Sequence, residues 1–211
     1  MDTYPGYNAL RKCHHEGKDY VILLRDADTR LAVMAPHGGG IEPGTVDVAD
    51  AVAAGDFTFY AFKGLMKSGN RVLHLGSTRF DEPVGLSVAD KADLVLTIHG
   101  CRGTTAEILI GGKLGALKES LRQSLTLAGF QARMSAQPGL RGMDPENICN
   151  RFAPRGGVQL ELTRELREAM FHHLENRSFR GKTPLFFDFV QAVRRPLLEQ
   201  LDKLPAQHQF E

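Results

Sequence analysis

His37 and Glu42 stand five positions apart in the stretch Ala35-Pro36-His37-Gly38-Gly39-Gly40-Ile41-Glu42-Pro43-Gly44-Thr45. On a helix, five steps of roughly 100° would turn the two side chains about 140° away from each other. A tight glycine loop at a strand end can make them converge, because glycine reaches backbone conformations closed to other residues. An imidazole and a carboxylate gathered in that way suit a metal ion better than a protein interior. His99 ends a second apolar run, Leu94-Val95-Leu96-Thr97-Ile98, and Glu161 lies within a third, Val158-Gln159-Leu160-Glu161-Leu162. In open α/β sheets ligands bind outside the carboxyl ends of strands, so segments distant in sequence can share one crevice. Two imidazoles and a carboxylate around Zn²⁺, with a fourth position open, make a hydrolytic site. A further carboxylate then takes the proton of the attacking water and hands it to the leaving amine. We therefore read His37, Glu42 and His99 as ligands of one Zn²⁺ per chain, and Glu161 as the base.

Each residue has a plainer alternative. A histidine at a strand end can be a satisfied structural residue, and Glu161 can be a surface carboxylate on an edge strand. His74 competes for the ligand role. His14-His15 and His172-His173 lie in polar surroundings and read as solvated, and His208 lies in a tail. Two clusters offer cations for an anionic substrate: Gly76-Ser77-Thr78-Arg79-Phe80-Asp81-Glu82-Pro83, and Asp144 to Arg151 with Arg155 beyond. An arginine fork grips a carboxylate by two hydrogen bonds and also stabilises a developing oxyanion. Arg155 is assigned to the catalytic set, and Arg79, Asn150 and Arg151 to substrate binding; one arginine is expected to polarise the carbonyl, which one being left open, and solvated surface charge is the alternative for each arginine. The triple glycine lacks the GxxxxGK[ST] pattern of a phosphate loop.

The elements that must position these groups alternate along the chain. Strands are expected at 20–24, 31–34, 57–62, 71–75, 94–98, 107–110, 131–134 and 158–162. Helices are expected at 46–52 with Thr45 as N-cap, at 86–92, from Leu114 through Leu117, Leu121 and Leu125, and from Arg164 behind a Thr163 cap. A last helical stripe runs from Phe186 to Leu201, with Pro196 expected to kink or divide it. This order predicts an α/β fold, a mixed and mostly parallel central sheet with helices on both faces.

The 211 residues show no repeat or linker and read as one domain, 1–211. With 26 basic and 25 acidic residues the net charge is +1, which gives no reason to expect a nucleic-acid or membrane surface. No apolar run approaches about 20 residues, and no signal peptide is visible at the start. Cytoplasmic synthesis, with release by lysis, is the corresponding expectation. The three cysteines show no CxxC spacing and read as free thiols. Oligomeric state is not readable.

APHGGGIEPGT at 35–45, STRFDEP at 77–83, TIHG at 97–100, and NICNR with GVQLEL at 147–162 together resemble the poly-γ-glutamate hydrolase family of bacteria and their phages. The likeness runs from about residue 18 to about residue 195. That family is related to zinc carboxypeptidases and to N-formylglutamate and acylamino-acid amidohydrolases. The resemblance implies a zinc carboxypeptidase-like fold, a single zinc, and hydrolysis of the γ-linked amide between glutamates. Carried over by position, it implies His37, Glu42 and His99 as ligands, Glu161 as general base, and substrate-carboxylate contacts from 147–155 and near Arg79. Carboxypeptidases separate their first two ligands by two residues whereas His37 and Glu42 enclose four, so this loop has its own shape. The expected substrate is an acidic polymer or an acyl-amino acid. The alternatives are a deacylase of N-acyl amino acids at the same site, or a non-catalytic phage- or prophage-associated binding protein.

Overall fold

The computed structural model describes residues 2–201 and Lys203, so His208 lies outside the described residues. A short helix α1 (Tyr7–Leu10) precedes β1 (Tyr20–Arg25), β2 (Leu31–Gly39), α2 (Thr45–Ala53) and β3 (Thr58–Gly64). Then come α3 (Pro83–Lys91), β4 (Leu94–Cys101), β5 (Glu107–Gly112), α4 (Gly115–Leu127), β6 (Gln131–Met134) and β7 (Val158–Thr163). The chain closes with α5 (Arg164–Met170), a two-residue pair β8 (Phe171–His172) and β9 (Gly181–Lys182), and α6 (Pro184–Leu201). Seven strands form one sheet in the order β1-β3-β2-β4-β7-β5-β6. The pairs β2/β3, β2/β4, β4/β7 and β5/β6 are parallel, whereas β1/β3 and β5/β7 are antiparallel. The fold class is the mixed, mostly parallel α/β sheet expected.

The strand order explains where a ligand can bind. From β2 the chain moves outward to β3 through α2, then returns through α3 to place β4 on the other side of β2. Right-handed crossovers in opposite directions put their helices on opposite faces. Accordingly Val48 and Val52 of α2 join the core built from α4, α5 and α6, while Val88 and Ala89 of α3 join the second core. The reversal leaves a crevice between β2 and β4 at their carboxyl ends, the usual place for a ligand in such sheets. Strand alternation then sorts side chains: Leu94, Leu96, Ile98, Leu160 and Leu162 enter the first core. Thr97, His99, Gln159, Glu161 and Thr163, one position out of step, line the other face and are all buried.

Several elements differ from expectation. β2 does not end at Met34 but continues through Pro36 and His37 to Gly39, with a register shift against β3 between Ala35 and Gly38. Proline supplies no donor to a ladder, so a bulge is the ordinary way to carry it inside a strand. The loop therefore starts later, and His37 belongs to the strand. β4 likewise runs past Ile98 to Cys101, because β7 pairs with it through the His99–Glu161 level and beyond. The expected strand at 71–75 is instead a 3₁₀ turn, Asn70–Leu73, preceded by Gly69 with φ 74° and tied by the Asn70 amide donating to the Met66 carbonyl at 2.7 Å. Thr45 is the first residue of α2, not its cap; Gly44, at φ 91°, occupies the cap position. The Thr45 hydroxyl donates to the Glu42 carbonyl at 2.8 Å and closes the loop that follows β2.

Helix α3 starts earlier than expected, with Pro83 at its first turn and the Glu82 carboxylate accepting from the Val84 and Gly85 amides. α6 neither stops nor divides at Pro196. A proline inside a helix costs about 3 kcal/mol, partly because the carbonyl four residues back loses its donor. That carbonyl belongs to Ala192, and the Ser124 hydroxyl of α4 donates to it at 2.7 Å. No helix among the described residues is long and apolar enough to cross a membrane.

Candidate metal centre

The bulged end of β2 turns the His37 ring toward β4. His37 Nδ1 lies 3.1 Å from His99 Nδ1 and 3.4 Å from Glu42 Oε1, and His99 Nδ1 lies 3.9 Å from Glu42 Oε2. All three residues are buried. The His37 Nε2–H donates to the Leu75 carbonyl at 2.6 Å, so in the neutral ring Nδ1 carries a lone pair into the cluster. Glu42 Oε2 accepts the Gly100 N–H at 2.8 Å, which orients the carboxylate. The glycines permit this closeness: a Cβ at Gly39, where φ is 66°, would collide with the Gly64 carbonyl.

The electrostatics are those of a ligand set. Burial opposes ionisation of Glu42, but the charge and hydrogen bond of His37, then His99 and the Gly100 N–H, outweigh it and hold the carboxyl down at about 2. Burial, then His37, push the His99 imidazole down to about 3. An ionised carboxylate and a neutral imidazole are the protonation states that cation ligation demands. His99 Nε2 is buried without a hydrogen-bond partner. If Nε2 carries the proton, two Nδ1 lone pairs face each other; if Nδ1 carries it, a bare lone pair is buried. A cation among the two Nδ1 atoms and Glu42 satisfies the first arrangement. Zinc–nitrogen and zinc–oxygen bonds of about 2.1 Å give a tetrahedral edge of about 3.4 Å; the two Nδ1 atoms and the His37–Oε1 pair lie at 3.1 and 3.4 Å, and the His99 approach of 3.9 Å is to the other carboxylate oxygen. The residues fit the ion.

Glu161 is the neighbour of His99 across the parallel β4/β7 pair. Burial first, then the charge of Glu42, push its carboxyl up to about 8, against the opposing pull of Arg167. The Gln159 side-chain amide donates to Glu161 Oε1 at 3.0 Å, and Asn147 donates to Gln159 Oε1 at 2.9 Å. Gln159 precedes Glu161 by two, hence on the same strand face, and that spacing was the signal available for it. His74 is not among the cluster's donors. Its ring lies 4.1 Å from that of His37, and its Nδ1 contacts Asp2 Oδ1 at 2.7 Å. Arg79 bonds the other oxygen of Asp2 at 2.7 Å, so it reaches the cluster only through Asp2 and His74.

The structure does not bring the other sequence candidates to the cluster. Asn150 donates to the Gly142 and Asp144 carbonyls at 2.7 and 2.8 Å and accepts from the Lys113 and Gly157 amides. The Arg151 guanidinium is engaged by the carbonyls of Glu146, Phe80 and Thr78 at 2.8–3.1 Å. Both therefore fasten this loop. Arg155 is exposed in the turn that enters β7, before Val158, and is neither a hydrogen-bond nor a charge partner of the four site groups. The cation whose charge reaches both Glu42 and Glu161 is Arg167 of α5. Buried at 4% exposure, it donates to the carbonyls of Pro43, Cys101 and Leu162 at 2.8, 3.1 and 3.2 Å. Those carbonyls lie beside Glu42, His99 and Glu161, so one guanidinium ties the three segments that carry the site. His15, His172 and His173 are exposed as expected; His14 is half-buried, 3.1 Å from the Tyr4 hydroxyl.

Known proteins share this frame. A bacteriophage poly-gamma-glutamate hydrolase superposes with a TM-score of 0.91 at 31% identity, covering 97% of this chain and all of that one. YndL, in a structure described as zinc-free, gives 0.88 at 30% identity, covering 95% of this chain and 99% of the other. Among curated relatives, the SPbeta prophage-derived protein YoqZ of Bacillus subtilis (strain 168) is 32% identical over 202 residues, covering 95% of this chain and 73% of YoqZ. YmaC of the same strain is 32% identical over 197 residues, covering 92% and 83%. Residues 4–192 match the family described as poly-gamma-glutamate hydrolase, so this buried His–Glu–His cluster sits in a chain that belongs to the poly-gamma-glutamate hydrolase family.

Proposed function

We propose that this chain is a zinc-dependent amidohydrolase that cleaves the γ-glutamyl amide bonds of poly-γ-glutamate. The observation that carries the reading is the convergence of His37, His99 and Glu42, whose ligand atoms lie within 4.8 Å of one another, with Glu161 on the adjoining strand. Likeness to a bacteriophage poly-gamma-glutamate hydrolase, and to a relative whose structure is described as zinc-free, supports both substrate and metal. His37, Glu42 and His99 would hold the ion, which when bound acidifies a water and polarises an acyl oxygen. Leu75 fixes the His37 tautomer, and the Gly100 amide fixes Glu42. Gln159 occupies Glu161 Oε1, which leaves Oε2 to carry the transferable proton. In its ionised form, which a bound cation favours, Glu161 accepts a proton from the attacking water and returns it to the departing amine nitrogen, so its carboxyl ends the cycle as it began. Arg167 does not reach the substrate; it holds the three segments in place.

The test is zinc-loaded protein against Glu161→Gln, with polymer length followed by gel filtration. The wild type shortens poly-γ-glutamate, and the variant keeps about one zinc per chain while losing about 10²- to 10⁴-fold in rate. Full activity in Glu161→Gln would overturn the base, and cleavage of N-acyl glutamates alone would overturn the substrate.

A further inference from the structure

A cleft of about 320 Å³ opens beside the loop that carries Glu42, with Gly40 and Pro43 in its wall. Lys67, Arg71, Arg177 and Arg180 supply its other side. Arg180 is committed: it pairs with Asp47 at 2.7 Å and donates to the Leu174 carbonyl. Glu175, the one carboxylate in the lining, is held by Arg164 outside the cleft. Arg177 meets only the Met66 carbonyl, at 2.8 Å, and the exposed side chains of Lys67 and Arg71 have no hydrogen bond or ion pair. Three cations that pair with no carboxylate among the described residues thus share one concave surface, on a chain whose total charge is only +1.

The cleft adjoins the metal centre on two sides. Arg177 lies directly over Gly40, where an added Cβ would collide with its guanidinium. Arg71 lies in the turn Asn70–Leu73, three residues before His74, whose ring centroid is 4.1 Å from that of His37. A γ-linked glutamate chain leaves one α-carboxylate free on every residue. A chain laid across the centre must therefore place further carboxylates next to the reacting amide.

We infer that the cleft formed by Lys67, Arg71 and Arg177 is an anion subsite that receives the α-carboxylate of a glutamyl residue flanking the scissile bond. This rests on the proposed function, since it names how the same centre holds its polymer. Arginine grips such a carboxylate by two hydrogen bonds, and Lys67 adds a mobile point charge. The attraction between exposed charges is screened beyond about 10 Å at 0.1 M salt, so binding through the cleft weakens as salt rises.

The experiment compares apparent KM for shortening of poly-γ-glutamate by zinc-loaded protein at low and high salt. The double reversal Lys67→Glu with Arg71→Glu alters exposed side chains that hold nothing in place. Its control is Arg11→Glu with Lys12→Glu, on the exposed chain after α1, which changes net charge by the same amount. The cleft reversal raises KM about tenfold or more and flattens its salt dependence, and the control raises it less than threefold. An equal rise in both variants, or none in the cleft variant, overturns the subsite while leaving the proposed function standing. A wild-type protein that never shortens the polymer overturns both.

Discussion

Two polar regions lie against the same sheet and are built on opposite terms. In the loop from 142 to 157, Asn150 uses both its donors and its acceptor, and Arg151 is wrapped in backbone carbonyls. In the cluster of His37, Glu42 and His99, two imidazole nitrogens and a carboxylate, all electron-pair donors, face one another. Buried polar groups are ordinarily paired, so the first arrangement is structural and the second is held open for something else. Residue type alone does not separate them, since arginine and asparagine are as able to bind substrate as histidine is to bind metal. A count of satisfied donors and acceptors does.

The largest effect that separates the two regions is metal content. His99→Ala should drop bound zinc from about one per chain to below a tenth, by elemental analysis, with the fold retained. Full zinc occupancy in that variant would remove His99 from the ligand set and return His74 to contention. Asn150→Ala should do the reverse. It strips two donors and one acceptor from four backbone groups, of which the Gly157 N–H is fully buried and the others partly so, at roughly 1–3 kcal/mol for a buried group left unmet. Denaturant unfolding should therefore show a loss of about 3 kcal/mol with zinc stoichiometry intact; a loss of zinc without a loss of stability would collapse the contrast.

The smallest effect is one of pH in metal-free protein. Glu161 is pushed up to about 8 in the fold from an ordinary 4.5. The folded state therefore binds the extra proton between those values. Stability from this group is complete below about 4.5 and is lost as pH rises through about 8. Glu161→Gln removes that loss, so its thermal midpoint should exceed that of the wild type more at pH 9 than at pH 5. Equal offsets at the two pH values would mean that the carboxyl is not held protonated by its surroundings.

The segment that brings His37 and Glu42 to His99 was legible because its residues are out of place: histidine and glutamate among three glycines, at the end of an apolar run, satisfy neither a core nor an ordinary turn. The sheet was legible from alternation, which also put Gln159, Glu161 and Thr163 on one face. What the sequence hid was set by partners distant in the chain. β2 and β4 reach their full length only because β3 and β7 lie alongside. The turn at Asn70–Leu73 has the apolar spacing of a strand, and only the left-handed Gly69 and the Asn70–Met66 hydrogen bond make it a 3₁₀ turn. Arg151 reads as a free cation until the carbonyls of Thr78 and Phe80, over seventy residues away, are in view. Arg167 carried no local signal, because its three acceptors come from three segments.

That last residue limits how the scaffold can be re-engineered. A designer wishing to transplant a different ligand loop between Gly39 and Thr45 inherits a buried guanidinium that expects an oxygen where Pro43 now offers one. A graft matching the side chains of His37 and Glu42 but lacking that oxygen would strand an N–H donor in the interior, and would loosen with it the anchoring of the strands that carry His99 and Glu161.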